Sequence, residues 1–365
     1  MKKRIDCIKS SGIRRIMEQA SQKKELIDLS IGQPDFKVPE NVKESLKKSL
    51  DNNLTTYTPS GGLQELREKI ADYHNTEDAI VTSGVTSAIF LSYSVLLEEG
   101  EELIINSPHF VVYPDLCEFL GARSVVVKTK EDFSLDIEGI KRAVTSKTKA
   151  IIINHPNNPT GKIYTKNELK ELASFAKEKN LWIISDEVYS AFDYENKFTS
   201  MGELYEKTII LNGFSKSLAM TGLRIGYAAA PKKIIEDMIK LQQYTFVCAP
   251  SICQHAVNQN FYTEKLFVEE FKQRRDFLYM ELKNDFQITK PEGSFYFFLK
   301  LPEGIEDEKF CEKCLERNLL VVPGNCFTEE KNYIRLSFAT TTENLKKAVK
   351  ILKETQRRMR GENGD

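Results

Sequence analysis

The sequence predicts an α/β fold: a large domain with a mainly parallel, helix-covered sheet, accompanied by a smaller α+β domain. Three observations carry this. Five short runs are almost wholly apolar, amphipathic helical segments alternate with them between about residues 60 and 230, and no repeat or low-complexity linker divides the 365 residues. Strands without polar alternation are buried on both faces, which is the habit of parallel sheets. Length suggests about two domains, and without a linker the second must be assembled from discontinuous pieces.

The elements follow in order. Gly62 to Tyr73 places Leu63, Leu66, Ile70 and Tyr73 on one helical face. Ile80-Val-Thr is a short strand that passes through Gly84 into a helix reaching Leu97. The runs Glu102–Ile105, Ser124–Val127, Ala150–Ile153, Leu181–Ile184 and Thr208–Leu211 are the buried strands. Thr165 and Glu168 form a capping box ahead of a helix carrying Leu169, Leu172 and Phe175. Beyond residue 250 a long helix through Phe271–Leu282 precedes hairpin-like segments at Gly293–Phe298 and Tyr333–Phe338, read as the small domain. The tail Gln356–Asp365 is polar and expected to fray.

Lysine and arginine total 52 against 53 acids. That balance offers no field for nucleic acid or an anionic membrane. No apolar stretch approaches the length that spans a bilayer, so a cytoplasmic protein acting on small molecules is expected. Seven scattered cysteines fit reduced thiols better than a disulfide framework. Cys311 and Cys314 have a metal-like spacing but share an apolar helical face with Phe310 and Leu315, and His74, His109, His155 and His255 show no ligand spacing. No metal is expected.

In such sheets ligands bind beyond the carboxyl ends of the strands. Four strand ends offer chemistry. Gly84, Val85 and Thr86 place backbone N–H groups at a helix N-terminus, a phosphate site or simply a tight turn. Asn154-His-Pro-Asn-Asn-Pro-Thr-Gly161 is a fixed turn. Asp186 emerges from a buried strand with Tyr189 three residues on; alone, this acid reads equally as a helix cap. Lys216 has no charged neighbour between Thr208 and Thr221 and follows an apolar run. A desolvated lysine has a lowered pKa and forms Schiff bases with carbonyls. Together with Arg224, these groups suit a planar, phosphorylated, nitrogen-containing aldehyde, which is pyridoxal 5'-phosphate.

Asn157–Gly161, Ser185–Tyr189 and Ser215–Tyr227, in that order, resemble the class I (fold-type I) pyridoxal-phosphate-dependent aminotransferases, the aspartate aminotransferase-like enzymes. The resemblance runs from Leu29–Phe36 to Tyr333–Phe338. It implies a large cofactor-binding domain over residues 45–275 and a small domain formed from both chain ends, 1–44 and 276–365, whose Ser11-Gly12-Ile13 segment covers the substrate. By the same resemblance Lys216 forms the Schiff base and Asp186 pairs with the pyridine nitrogen. Asn158 and Tyr189 bond the ring's phenolic oxygen, and Phe110 stacks on the ring. Gly84, Val85, Thr86, Ser215 and Arg224 hold the phosphate, while Arg335 clamps the substrate carboxylate beside the Gly32 N–H and Asn158. Tyr57 resembles the tyrosine that reaches the neighbouring subunit's phosphate, which implies a homodimer. His155 and His109 depart from the family, standing where many members have proline and glycine; a histidine there could alter the cofactor's electronics or contact an acidic substrate, but the reading adopted is a tolerated loop substitution with no catalytic role.

The implied activity moves an amino group from an L-amino acid to a 2-oxo acid such as 2-oxoglutarate. A lyase on the same scaffold, performing β-elimination or C–S cleavage, shares the first steps. A non-catalytic regulatory domain would show a damaged site or an added DNA-binding segment, and the sequence carries neither. Aspartate, aromatic and aliphatic donors all stay open. The sequence marks no second arginine for a dicarboxylate, and nothing in it selects among Lys37, Arg14 and Arg275 for that task.

Overall fold

The computed structural model describes residues 4–8, 23, 25–262 and 266–361. In chain order the strands and helices are β1 (Ile27–Asp28), α1 (Glu40–Asp51), α2 (Gln64–His74), β2 (Asp78–Thr82), α3 (Val85–Leu96), β3 (Glu102–Ser107), α4 (Val112–Phe119) and β4 (Arg123–Lys128). Next come α5 (Ile137–Ala143), β5 (Thr148–Asn154), α6 (Lys166–Glu178), β6 (Trp182–Asp186), β7 (Thr208–Gly213), α7 (Phe214–Ser217), β8 (Gly226–Ala230), α8 (Lys232–Thr245) and α9 (Ser251–Gln259). The last third holds α10 (Val268–Leu282), β9 (Gln287–Ile288), β10 (Tyr296–Lys300), α11 (Asp307–Glu316), β11 (Leu319–Leu320), β12 (Val322–Pro323), β13 (Tyr333–Ser337) and α12 (Thr342–Met359).

Seven strands form the central sheet in the order β2-β8-β7-β6-β5-β3-β4. The pairs from β4 to β7 are parallel, whereas β8 runs antiparallel to both β7 and β2. The carboxyl ends of β2, β5, β6 and β7 therefore share one edge. Successive residues of the central strands serve opposite faces: Ile152 and Ile184 pack toward α3 and α8, Ile151, Ile153 and Ile183 toward α6. Fully burying one such side chain contributes roughly 1.5–3 kcal/mol, so these runs stabilise the sheet from both sides. The capping box at Thr165 is present, and Leu169, Leu172 and Phe175 face the core.

Around it, β12-β13-β10-β9 form a second, antiparallel sheet, and β1 pairs with β11. The segments at Phe298 and Arg335 pair directly, although α11 intervenes in sequence. Phe271 and Leu278 of α10 share one core with Phe297, Leu336 and Leu352. We propose that the two domains meet along α10, which contains residue 275 and turns its apolar face to the smaller sheet.

Three expectations are corrected and one strand is added. Tyr73 is not in the core: it is 61% exposed, at the margin of α2, while Leu66 and Ile70 are buried. The β4 run is not covered on both faces, because β4 ends the sheet and Val126 is exposed between Arg123 and Lys128; charges at the ends blunt the edge. The tail does not fray at Gln356, since α12 continues to Met359 and the buried Gln356 amide donates to the Asp285 carbonyl. Strand β8 was not anticipated, because three of its five residues are alanine, a weak strand former.

Candidate active site

The shared sheet edge opens into a cleft enclosing about 910 Å³ of space, its mouth included. Gly32, Val85, Thr86, Phe110, Asn158, Asp186, Tyr189, Ser215, Lys216, Arg224 and Arg335 all line it. They come from eight separate stretches of chain, and the sheet brings them together.

Lys216 sits on the four-residue helix α7, directly after β7. Its Nζ donates to the Gly32 carbonyl and lies 5.9 Å from the centre of the Tyr189 ring. Burial, with added repulsion from Arg335 and Arg224, lowers its pKa from 10.5 to about 8; Asp186 opposes this. Asp186 terminates β6. Burial raises its pKa to about 6, against the pull of hydrogen bonds from Tyr113 and the Val188 N–H and the charge of Lys216. An amine and a carboxylate are thus both brought toward neutral pH by removal of water.

Arg335, on β13, is buried between the rings of Tyr296 and Phe327, 4.5 and 4.7 Å from its guanidinium carbon. It donates to Asn158 Oδ1 at 3.0 Å and to the Ser30 carbonyl, and its Nε has no partner among the described residues. A buried cation with an unused donor is an anion site. Asn154 accepts from the Asn158 N–H at 2.6 Å and donates to the Asp186 carbonyl at 2.9 Å, fixing the turn beyond β5. The Tyr189 and Tyr296 hydroxyls are 3.0 Å apart.

A second anion cradle lies where α3 begins. The first N–H groups of a helix have no partner within it. Gly84 caps α3 with φ +83°, and a Cβ there would fall 2.5 Å from an Arg224 guanidinium nitrogen. Arg224 itself takes a left-handed φ of 51°, costly for a residue with a side chain. Its Nη1 donates to the Thr221 carbonyl at 2.9 Å, so the guanidinium is held against Gly84. Carbonyl-reactive amine, buried acid, two phenols and two anion cradles fit the donor set that pyridoxal 5'-phosphate requires.

Other candidates fall elsewhere. Tyr57 is 84% exposed and does not line the cleft. Lys37 is exposed, and Arg275 is buried in ion pairs with Glu195 and Asp276, outside the cleft. Arg14 and the Ser11-Gly12-Ile13 segment lie outside the described residues. His155 is packed between Tyr164 and Phe198; its Nδ1 accepts from the Tyr164 N–H and its Nε2 donates to the Thr199 carbonyl, so it holds the loop together away from the cleft. His109 bonds the Phe110 carbonyl and also stays out of the lining. Cys311 and Cys314 are core residues of α11. Sequence reasoning missed Tyr113 and Tyr296. Tyr113 follows Phe110 by three residues, a helical spacing that could have marked it. Tyr296 arrives through the β10–β13 pairing, which has no local signal.

The family model for aminotransferase class I and II matches residues 24–352. A probable aspartate aminotransferase of Methanocaldococcus jannaschii is 40% identical, the match covering 95% of this chain and 97% of that protein. Aromatic-amino-acid aminotransferase 2 of Thermococcus litoralis is 37% identical over 96% and 98%. Among solved structures, Thermus thermophilus aspartate aminotransferase with maleate superposes with a TM-score of 0.92 at 35% identity, covering 97% of this chain and 99% of that one. An aromatic aminotransferase from Pyrococcus horikoshii does so with a TM-score of 0.88 at 37% identity, over 96% and 100%.

Proposed function

The chain belongs to the class I and II aminotransferases and has their pyridoxal 5'-phosphate-dependent activity, and from that premise we propose that it transfers the amino group of an L-amino acid to 2-oxoglutarate, with Lys216 as the amine that holds the cofactor. The carrying observation is the Lys216 amine: half-buried, lowered to about 8, and within one cleft with Asp186, Tyr189 and Arg335.

Bound cofactor supplies a protonated pyridine ring that accepts the electron pair left when the Cα–H bond breaks. The chain's own groups do the rest. Arg335 would bind the α-carboxylate through its free Nε, with Asn158 fixing its orientation. Lys216 Nζ, in its free-amine form, which a pKa lowered to about 8 makes more accessible, would take the Cα proton and return it one atom away. Asp186, as carboxylate, would hold the proton on the ring nitrogen. Tyr189 and Asn158 would donate to the ring oxygen, and Phe110 would cover one face. Val85, Thr86, Ser215 and Arg224 would hold the phosphate, with Gly84 leaving room. Tyr57, exposed on the isolated chain, would reach the second site of a homodimer. No helix among the described residues is long and apolar enough to cross a membrane, and no disulfide joins the seven cysteines, in keeping with a cytoplasmic enzyme.

Replacing Lys216→Ala tests this. We expect loss of transamination with every donor while cofactor is still bound noncovalently, measured by 2-oxoglutarate-dependent product formation. Wild-type rates from the variant would remove Lys216 from the reaction.

A further inference from the structure

Asp186 presents its carboxylate to the cleft from the end of β6, and two donors grip it from the protein side. Oδ1 accepts from the Val188 N–H at 3.2 Å, and Oδ2 accepts from the Tyr113 hydroxyl at 2.7 Å. Tyr113 stands in the first turn of α4, 2% exposed, with its ring edge-on to Phe110 at 5.7 Å. It therefore touches both the buried acid and the aromatic residue that lines the cleft. The groups that face Asp186 are Tyr113 from α4, Tyr93 from α3, Tyr189 beyond β6 and Lys216 from α7. Of these side chains, Tyr113 is the one bonded to its carboxylate.

We propose that Tyr113, which lines the cleft beside Asp186, is a positioning residue that holds Asp186 as a carboxylate aimed at the cofactor's ring nitrogen, and so sets the charge state of that nitrogen through Asp186. The proposal rests on the reading of Asp186 given above. Burial drives the Tyr113 phenol well above its ordinary value, so it stays a donor at every working pH. Asp186 has been raised to about 6 in spite of that donor. A hydrogen bond to a charged group is worth enough to move a pKa by about 1 to 2 units, so without it Asp186 would be protonated near neutrality. A protonated acid has no charge with which to keep a proton on the ring.

The test uses apoproteins and the dissociation constant of pyridoxal 5'-phosphate, measured from about pH 5.5 to 9 for wild type, Tyr113→Phe, Asp186→Asn and the double variant. Phe keeps the ring and its contact with Phe110, so the readout isolates the hydroxyl. We expect Tyr113→Phe to bind about tenfold more weakly near pH 6.5, to converge on wild type toward pH 9, and to show its pH midpoint raised by about 1 to 2 units. In the Asp186→Asn background the same change should alter binding by less than about twofold, because the two residues act as one unit. A loss that is uniform with pH, or undiminished in the Asn background, would overturn the proposal. If Asp186→Asn alone leaves both affinity and its pH dependence unchanged, the fault lies with the role given to Asp186.

Discussion

Lys216 is held where folding gains least from it. Its amine is half-buried, bonded to a carbonyl and near a carboxylate, and lowered from 10.5 to about 8. The folded chain therefore binds fewer protons than the unfolded chain between those values, and stability rises with pH across that window. Below about pH 8 the penalty is complete, on the order of 3 kcal/mol. Lys216→Met should make the apoprotein more stable than wild type at pH 7, with the gain shrinking toward pH 10.5 in urea titrations. A pH-independent difference would mean the amine is not desolvated. This residue was legible in the sequence from its uncharged surroundings, as were Asp186 and Arg224. Tyr296 was not, because what gives it a role is its strand pairing with Ser337, 41 positions further along the chain, which no local pattern encodes.

At the level of elements, the phosphate cradle depends on how closely α3 approaches the sheet. Gly226 of β8 makes that approach possible, since a Cβ there would lie 2.7 Å from the Val85 nitrogen. Gly226→Ala must push the start of α3 away and should cost about 1–3 kcal/mol while weakening cofactor binding, read by thermal melting and cofactor titration. Gly222→Ala, with nothing within 4 Å, is the control and should leave binding unchanged. The parallel core strands were legible because Ile and Val runs without alternation have one structural explanation. Strand β8 was hidden by its alanines, and the end of α12 by polar residues that the fold buries. Composition reports what a segment can tolerate, and packing decides where it goes.

For the whole molecule, the cleft gathers groups from both ends of the chain, Gly32 and Arg335 joining residues of the central sheet. Tyr57 is 84% exposed and lies outside the cleft, and we propose that a second copy uses it. Mixing Tyr57→Phe chains with Lys216→Ala chains separates the alternatives. If Tyr57 serves the partner, hybrid dimers contain one doubly altered site and one intact site, and wild-type kinetics reappear in that fraction. If it serves its own chain, each hybrid site carries one lesion and no intact site forms.

The central claim is that this cleft exchanges amino groups through Lys216, and an absorbance spectrum tests it most directly. Purified protein with bound pyridoxal 5'-phosphate is recorded, given single amino acids without any oxo acid, and then given 2-oxoglutarate. The account predicts that a defined group of donors removes the visible absorption and that 2-oxoglutarate restores it, with Lys216→Ala inert in both steps. Visible absorption that persists while pyruvate and ammonia accumulate, or a Lys216→Ala protein that cycles like wild type, would contradict it.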